Sequence, residues 1–150
     1  NVDGLHQLAG SSADRVVEIH GTIREVVCLS CNERAPMEQA LSRVRAGEED
    51  PPCRRCGGIL KSVTISFGQN LVDADLRRAE RAALQCDLML AVGSTLSVYP
   101  IAGVVPLARD AGARIVIVNG EPTEMDDLAH AVLRGSIGAI LPRLVPDTHG

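Results

Sequence analysis

Aromatic residues are almost absent from this chain, whose 150 residues include one Phe, one Tyr and no Trp. Yet 45% of the residues are hydrophobic, so the core must be built from Val, Leu, Ile and Ala. An aliphatic core of this kind favours layered α/β packing. Proteins that bind single-stranded nucleic acid usually stack the bases on aromatic side chains, and this chain has few to offer.

The chain also lacks an excess of positive charge. Fifteen Lys and Arg against nineteen Asp and Glu give a formal net charge of −4, whereas a nucleic-acid-binding face is normally basic. No apolar run is long enough to span a bilayer, and no signal-peptide pattern opens the chain. We therefore expect no nucleic-acid partner and no membrane partner, and a cytoplasmic location where thiols stay reduced.

Cysteine is scarce, but four of the five cysteines form two Cys-x-x-Cys pairs. Cys28 and Cys31 are followed, after 21 residues, by Cys53 and Cys56, which is the spacing of a tetrahedral four-thiolate zinc site. The second pair leads into Gly57-Gly58, which can adopt the positive φ that such a turn requires. A disulfide framework is the alternative, although it is more typical of small secreted scaffolds. We therefore predict a structural Zn²⁺ site.

The first part of the chain divides into a loop region and a zinc-binding module. Residues 1–21 contain a polar loop, a short helix and a β-like run at 15–21 that ends in a His-Gly turn. Residues 22–61 form the predicted module, with a helix over 38–46 and an acidic loop at 47–52 before the second cysteine pair. Because so small a module cannot be held by burial alone, we expect the metal to supply much of its folding energy.

Residues 62–145 alternate predicted strands and helices, which is typical of parallel βαβ units. The strands are expected at 62–68, 87–93 and 114–119, and the helices at 72–85, 101–111, 126–133 and 136–144. The continuous apolar run at 87–93 is typical of a strand covered on both faces. The expected fold is therefore α/β, a partial Rossmann-like parallel sheet with a small four-Cys zinc-ribbon module, followed by a disordered tail at 146–150.

Small and amide residues follow both buried strands, as Gly93-Ser94-Thr95 and as Asn119-Gly120-Glu121. Ligands of open α/β sheets bind at the carboxyl ends of the strands, where N–H groups and hydroxyls can contact phosphates and ribose. Many α/β strands end in Gly or Asn simply to make a turn. On its own this pattern leaves nucleotide binding open.

Six short motifs occur in one order along the chain. They are Asn1–His6, Glu18–Gly21, the two cysteine pairs, Ile65–Gly68, Gly93–Pro100 and Val118–Thr123. Together they resemble the sirtuins, the NAD-dependent protein-lysine deacylases, over essentially the whole chain. Each motif is weak alone, but six in register are specific. The resemblance implies NAD and Zn²⁺ as cofactors and an acylated-lysine protein or peptide as the partner.

The resemblance assigns catalytic roles to His20 and Asn1. In this family the acyl oxygen of the substrate lysine displaces nicotinamide, and a histidine then acts as general base for a ribose hydroxyl that receives the acyl group. His20 would be that base, and Asn1 would orient the ribose or a water molecule. From the residues alone, a turn histidine before glycine is the favoured interpretation of His20, and only the other motifs reverse it. We expect His6 to be structural and assign no role to His130.

The resemblance also implies a cofactor site and a substrate channel. Asp3 would hold the nicotinamide carboxamide, and the other cofactor contacts would line the phosphates, the riboses and the adenine: Asn1, Gly93, Ser94, Thr95, Asn119, Ser136 and Ile137. The channel would surround the acyl-lysine with apolar walls and would consist of Ile65, Phe67, Gly68 and Val98.

The chain departs from the family pattern in three places. Ser94-Thr95 reverses the commoner Thr-Ser order, Gln69 replaces an acid, and the family's Gly-Ala-Gly-x-Ser segment has no counterpart. We therefore expect a C-terminal portion of a longer sirtuin, with weak or no NAD turnover alone and self-association through an exposed sheet surface. A mono-ADP-ribosyltransferase on the same site and a non-catalytic zinc-ribbon module that binds protein remain alternatives.

Overall fold

Two three-stranded sheets of opposite type organise the fold, one antiparallel and one parallel. The chain divides into two compact units, Asn1–Asp75 and Leu76–Gly150. The computed structural model describes residues 1–144, so the tail expected at 146–150 lies outside the described residues. No helix within residues 1–144 has the length and apolar character needed to cross a membrane.

The antiparallel sheet belongs to the first unit. Its elements are α1 (Leu5–Leu8), a 3-10 turn (Ala13–Arg15), β1 (Gly21–Cys28), β2 (Arg34–Pro36), α2 (Met37–Arg45) and β3 (Leu60–Thr64). The central strand is β1, which pairs with β2 on one side and β3 on the other. The short helix and the helix of the module are confirmed, and Cys28, a predicted zinc ligand, is the last residue of β1.

Two sequence expectations for this unit are wrong. The strand predicted at 62–68 is expected to belong to the parallel sheet. It is β3, which crosses the expected boundary after residue 61 and pairs antiparallel with β1. In the run expected at 15–21, Arg15 ends a 3-10 turn and residues 16–18 belong to no strand. The His-Gly turn expected at the end of that run is present, because the Gly21 N–H donates to the Glu18 carbonyl at 2.8 Å, and β1 begins only at Gly21. Gly21 has a φ of 77°, and a Cβ there would lie 2.0 Å from the Val63 carbonyl oxygen. Only glycine fits this start of β1.

The parallel sheet belongs to the second unit. Its elements are α3 (Asp73–Gln85), β4 (Leu88–Val92), a 3-10 turn (Ile101–Gly103), α4 (Val104–Asp110), β5 (Arg114–Asn119), a 3-10 turn (Asp126–Leu128), β6 (Ala131–Arg134) and α5 (Ile137–Leu144). The strand order is β4-β5-β6, and the central strand β5 buries Ile115 and Ile117 completely. The predicted strands at 87–93 and 114–119 and helices at 72–85, 101–111 and 136–144 are confirmed.

Two expectations for the second unit are also wrong. The helix expected at 126–133 is instead a 3-10 turn followed by β6, because the apolar run Ala131–Leu133 pairs with β5. So short a run has no period that separates helix from strand. Strand β4 is not covered on both faces within residues 1–144, since Leu88 is 54% and Leu90 is 45% exposed.

Candidate metal centre and catalytic loops

The four cysteine sulfurs converge at one point of the first unit. All four Sγ atoms lie within 4.8 Å of one another, with Cys28 to Cys56 at 3.5 Å and Cys31 to Cys53 at 3.7 Å. A tetrahedral zinc ion with Zn–S bonds of about 2.3 Å separates its sulfurs by roughly 3.8 Å. A disulfide would bring two sulfurs to about 2.05 Å. The donor set therefore fits one four-thiolate Zn²⁺ ion, and the disulfide alternative does not fit.

Backbone turns aim the sulfurs inward. In the first pair, the Ser30 N–H donates to Cys28 Sγ at 3.4 Å. In the second pair, the Gly57 N–H donates to the Cys53 carbonyl at 2.8 Å, and Gly57 has a φ of 74°. The Cys53 N–H in turn donates to the Gly58 carbonyl at 2.8 Å. The glycine pair that follows the second knuckle thus closes it as predicted.

The thiols of this cluster do not ionise alike. Burial opposes ionisation of Cys28, but hydrogen bonds from the Ser30 and Cys31 N–H groups and from neighbouring thiols outweigh it and lower its pKa to about 6. The N–H of Glu33 favours a Cys31 thiolate, but the Cys31 thiol donates to the sulfur of Cys56 and burial opposes its ionisation, so its pKa rises to about 12. One thiolate forms readily, and a divalent cation would replace the protons held by the others.

Strand β1 holds the N-terminal loop that carries Asn1 and Asp3. The Ile23 N–H donates to the Val2 carbonyl at 2.9 Å, which extends the sheet to this loop. The Asp3 carboxylate accepts the Leu5 N–H at 2.9 Å and so holds the start of α1. The carboxylate expected to hold a carboxamide therefore already has one local donor.

Arg24 also anchors the loop and was missed by the sequence analysis. Its Nε donates to the Asp3 carbonyl at 3.4 Å, and its side chain covers the buried Gly4. Gly4 has a φ of 68°, and a Cβ there would lie 2.2 Å from Arg24 Nε. No local signal marks this contact, because 20 positions separate the two residues.

A cavity of about 520 Å³ lies beside Asn1. Its walls include His6, Arg15 and the Gly10–Ser12 segment. His6 has no functional role predicted from the sequence, yet the structure brings it to the same cavity as Asn1. A cavity of this volume has the size of a small-molecule site.

His20 and the first predicted channel residue are joined through the backbone. The Ile65 N–H donates to the His20 carbonyl at 2.9 Å, just beyond the paired residues Gly21 and Thr64. The structure thus brings the predicted base and Ile65 together. Both are partly buried.

Phe67 and Gly68 lie on the turn that follows. The Ser66 N–H donates to Gln69 Oε1 at 2.8 Å and the Gln69 N–H donates to the Ser66 carbonyl at 3.0 Å, which closes the turn. Phe67 is 98% exposed at its tip, and Gly68 has a φ of 83°. The glutamine that departs from the family pattern therefore has a clear structural role here.

The predicted cofactor residues of the second unit gather at the carboxyl end of the parallel sheet. The Gly93 N–H donates to the Val118 carbonyl at 3.0 Å, and the Gly135 N–H donates to the Asn119 carbonyl at 3.3 Å. A Cβ on Gly93, whose φ is 63°, would lie 2.8 Å from Ile137 Cδ1. The loops after β4 and β5 and the start of α5, which follows Ser136, thus meet at one edge.

The hydroxyls after Gly93 are engaged within their own loop. Ser94 Oγ accepts the Leu96 N–H at 3.2 Å, and Thr95 Oγ1 lies 2.8 Å from Ser97 Oγ. Both predicted residues are exposed, so a ligand could reach them by competing with these bonds. Val98, the fourth predicted channel residue, is 42% exposed later in the same loop.

Arg134 fastens the loop that follows Asn119, which the sequence analysis also missed. Its guanidinium donates to the Glu121 carbonyl and pairs with Asp126. Asn119 Nδ2 donates to the same Glu121 carbonyl at 2.8 Å. A hydrogen bond from Thr123 Oγ1 at 2.7 Å, and then the pairing with Arg134, lower the pKa of Asp126.

Comparison with known proteins identifies the family that shares these features. The Sir2 family model matches residues 1–100. The chain is 50% identical over 145 residues to NAD-dependent protein deacetylase 2 of Streptomyces coelicolor, covering 97% of this chain and 60% of that protein. It is 40% identical over 141 residues to the NAD-dependent protein deacetylase of Rhodopseudomonas palustris, covering 94% of this chain and 56% of that one. The chain therefore spans less than two thirds of these relatives.

Solved structures of Sir2 proteins superpose on this chain over most of its length. A Sir2 protein with a p53 peptide and NAD⁺ superposes with a TM-score of 0.89 at 31% identity, covering 96% of this chain and 59% of the other. A Sir2 protein bound to a propionylated peptide gives a TM-score of 0.89 at 31% identity, with 96% and 60% covered.

Proposed function

This chain belongs to the Sir2 family, and from that membership we propose that it takes part in NAD-dependent removal of acyl groups from protein lysines. The observation that carries the proposal in this chain is the backbone bond between His20 and Ile65, which joins the predicted base to the predicted acyl-lysine channel. The related deacetylases are more than half as long again as this chain, so the reaction is proposed for the protein that contains it.

The chain's own residues supply a base and a scaffold for it. We propose that His20 accepts the proton of the hydroxyl that receives the acyl group, and that Asn1 orients the ribose beside the 520 Å³ cavity. The zinc ion has no part in the chemistry, because four thiolates fill its coordination shell and leave no open position. It instead fixes the end of β1, the strand whose other end begins beside His20.

The remaining proposed roles concern NAD. Bound NAD supplies an electrophilic ribose carbon and a hydroxyl acceptor. Asp3 would hold its carboxamide. The edge of the parallel sheet supports the rest of the site, because its backbone N–H groups, amide and hydroxyls suit phosphates and ribose: Gly93, Ser94, Thr95, Asn119, Ser136 and Ile137.

For the substrate, we propose that an acylated lysine contacts Ile65, Phe67, Gly68 and Val98. The 98% exposed ring of Phe67 supports this role, since a large apolar side chain at the tip of a turn gains by being covered. A peptide could add as a strand beside this turn. We also propose a cytoplasmic location, because four thiolates reserved for a metal need a reducing compartment, and self-association through the exposed Leu88 and Leu90 of the edge strand β4.

The test is an assay of a protein that contains this chain, with NAD and an acetyl-lysine peptide. We expect nicotinamide release and loss of the acetyl group to occur together. His20→Ala should lower both by about 10²- to 10⁴-fold, the usual contribution of a general base. The exposed Arg109→Gln on α4 is the control and should keep full activity.

Three outcomes would contradict the proposal. Nicotinamide release without loss of the acetyl group would point to ADP-ribosyl transfer. Full activity in His20→Ala, with zinc content and far-UV circular dichroism unchanged, would remove His20 from the mechanism. No turnover at all, with zinc bound, would favour the non-catalytic zinc-ribbon alternative.

A further inference from the structure

A cavity of about 530 Å³ lies on the zinc-binding part of the first unit. Its apolar lining residues include Val26 and Leu60. We call three of its arginines, Arg34, Arg54 and Arg55, the rim arginines. We call this cavity the arginine-rimmed groove. Apart from the zinc ligand Cys53, none of its lining residues has a role in the proposed deacylation.

The charge around the groove is opposite to that of the chain. The chain as a whole has a formal net charge of −4. Among the residues that line the groove, Arg43 joins the three rim arginines, whereas Glu33 is the acidic residue. The lining is therefore rich in arginine, but Glu25, Glu33 and Glu48 each pair with one of these arginines, which leaves Arg54 as the unpaired positive charge that would attract an anionic ligand.

Arg43 is not available to such a ligand. It binds both carboxylate oxygens of Glu48, at 2.7 and 2.6 Å, and donates to the Pro52 carbonyl at 2.7 Å. Its side chain is only 16% exposed. This guanidinium therefore holds the acidic loop in place.

The three rim arginines are available. Arg34 pairs with Glu25 and Arg55 pairs with Glu33, each at 3.0 Å between exposed side chains. Exposed pairs of this kind contribute little and can exchange partners. Arg54 is exposed and its side chain makes no hydrogen bond or ion pair within residues 1–144, although its charge acts on Glu48.

The apolar lining residues of the groove favour an apolar group of the ligand. Val26 is 4% exposed, and Leu60, Ala35 and Ala40 lie around it within the groove. Cavities of roughly 300–1,000 Å³ with mostly apolar walls and a few polar groups are typical ligand sites. The groove has no aromatic side chain on which a nucleobase could stack.

We propose that the arginine-rimmed groove binds an acidic peptide segment of a partner protein. One apolar side chain of the peptide packs against the apolar lining residues, and flanking Asp or Glu carboxylates pair with Arg54, Arg55 and Arg34. Guanidinium groups suit this partner because they bind carboxylates through two parallel hydrogen bonds. The site is independent of NAD chemistry and extends the proposed function to the choice of partner.

The test uses the zinc-loaded chain without NAD and a fluorescent peptide of sequence Glu-Asp-Leu-Asp-Glu with blocked ends, followed by anisotropy. Arg54→Gln and Arg55→Gln should each weaken binding about tenfold, as expected for a charge-assisted hydrogen bond. Raising the salt from about 50 to about 300 mM should also weaken it, because exposed charges are screened. Arg54→Lys should give an intermediate affinity, and Arg109→Gln should bind as the unchanged chain does.

A second peptide, with Ser in place of Leu, tests the apolar lining residues apart from the rim arginines and should bind several-fold more weakly. The proposal is overturned if a peptide with Gln in place of every acid binds equally well, or if Arg109→Gln weakens binding as much as Arg54→Gln. It is also overturned if no binding is detected while all variants retain zinc. A single-stranded oligonucleotide that binds more tightly than the peptide, and is released by Arg54→Gln, would assign the surface to nucleic acid instead.

Discussion

The two units of this chain are stabilised by different means. In the first unit the buried apolar residues are Val26, Cys28 and Cys53, so two of the three are metal ligands. In the second unit the buried residues surround β5 and none belongs to the cysteine cluster: Ala83, Leu96, Ala102, Val105, Ala108, Ala113, Ile115, Ile117, Val118 and Met125. The comparison covers residues 1–144. One unit depends on sulfur–metal bonds, and the other depends on packing.

This difference separates the conditions under which each unit should fail. A unit held by a metal responds to chelators and to protons that compete for the thiolates. A unit held by packing responds to lost volume and to unpaired polar groups. Metal binding in the first unit and core packing in the second can therefore be weakened separately.

Removing the metal should have the largest effect. A strong chelator, or Cys28→Ser, should unfold the first unit, because a structural zinc ion contributes on the order of 10 kcal/mol or more. Hydrogen exchange would report the loss as fast exchange over β1 and β3, while β4 and β5 stay protected. Unchanged protection of β1 after chelation would show that the antiparallel sheet does not need the metal.

Ile117→Ala should have the reverse pattern. Ile117 is 1% exposed at the centre of the parallel sheet, and its truncation should lower the free energy of unfolding of the second unit by about 2–5 kcal/mol. Ile59, which is 65% exposed, provides the matched control as Ile59→Ala. Denaturant unfolding with zinc content measured in parallel tests the comparison, which fails if Ile117→Ala also loses zinc.

His130→Ala should have a smaller effect on the second unit. The Nδ1 atom of His130 accepts the backbone N–H of Ile115 at 3.0 Å, and the backbone N–H of His130 donates to the Ile115 carbonyl at 2.8 Å. Removing the ring leaves one backbone donor without its acceptor, at a cost of about 1–2 kcal/mol. His130→Asn offers an amide oxygen in its place and should recover part of the loss in the same unfolding measurement. Equal losses in the two variants would assign the effect to packing.

Acid should weaken the second unit slightly through Asp126. Its pKa is lowered in the folded chain by Thr123 and then by Arg134, so its contribution is present above its unfolded pKa of about 3.9. That contribution is lost as the pH falls through the lower, folded pKa. Asp126→Asn should flatten the stability profile below about pH 4, measured by thermal melts, whereas the exposed Asp127→Asn serves as the control. A profile that Asp126→Asn leaves unchanged would contradict the assignment.

Sequence reasoning succeeded where the signal is local. The spacing of Cys28, Cys31, Cys53 and Cys56 predicts the cluster because two pairs of thiols on tight turns have few other uses. The apolar run of β5 predicts a buried strand for a similar reason, since every residue in it favours burial. Both signals are contained within a few neighbouring residues.

The sequence did not predict features that depend on which distant residue a side chain or strand contacts. The alternation in β3 predicts a strand but cannot say which sheet receives it, and the run Ala131–Leu133 is too short to tell strand from helix. Arg24, His130 and Arg134 act on residues between 8 and 21 positions away. No local pattern marks such contacts, so they appear only once the fold brings the residues together.

The close packing of Arg24 against Gly4 has a consequence for related chains. The Arg24 side chain fills the space beside Gly4, so a side chain at position 4 would overlap it. A relative with a bulkier residue at position 4 must therefore tolerate a φ near 68° and also shorten or redirect the residue at position 24. The two positions should covary as a compensating pair, and a chain in which both are large would have to displace the loop that bears Asn1.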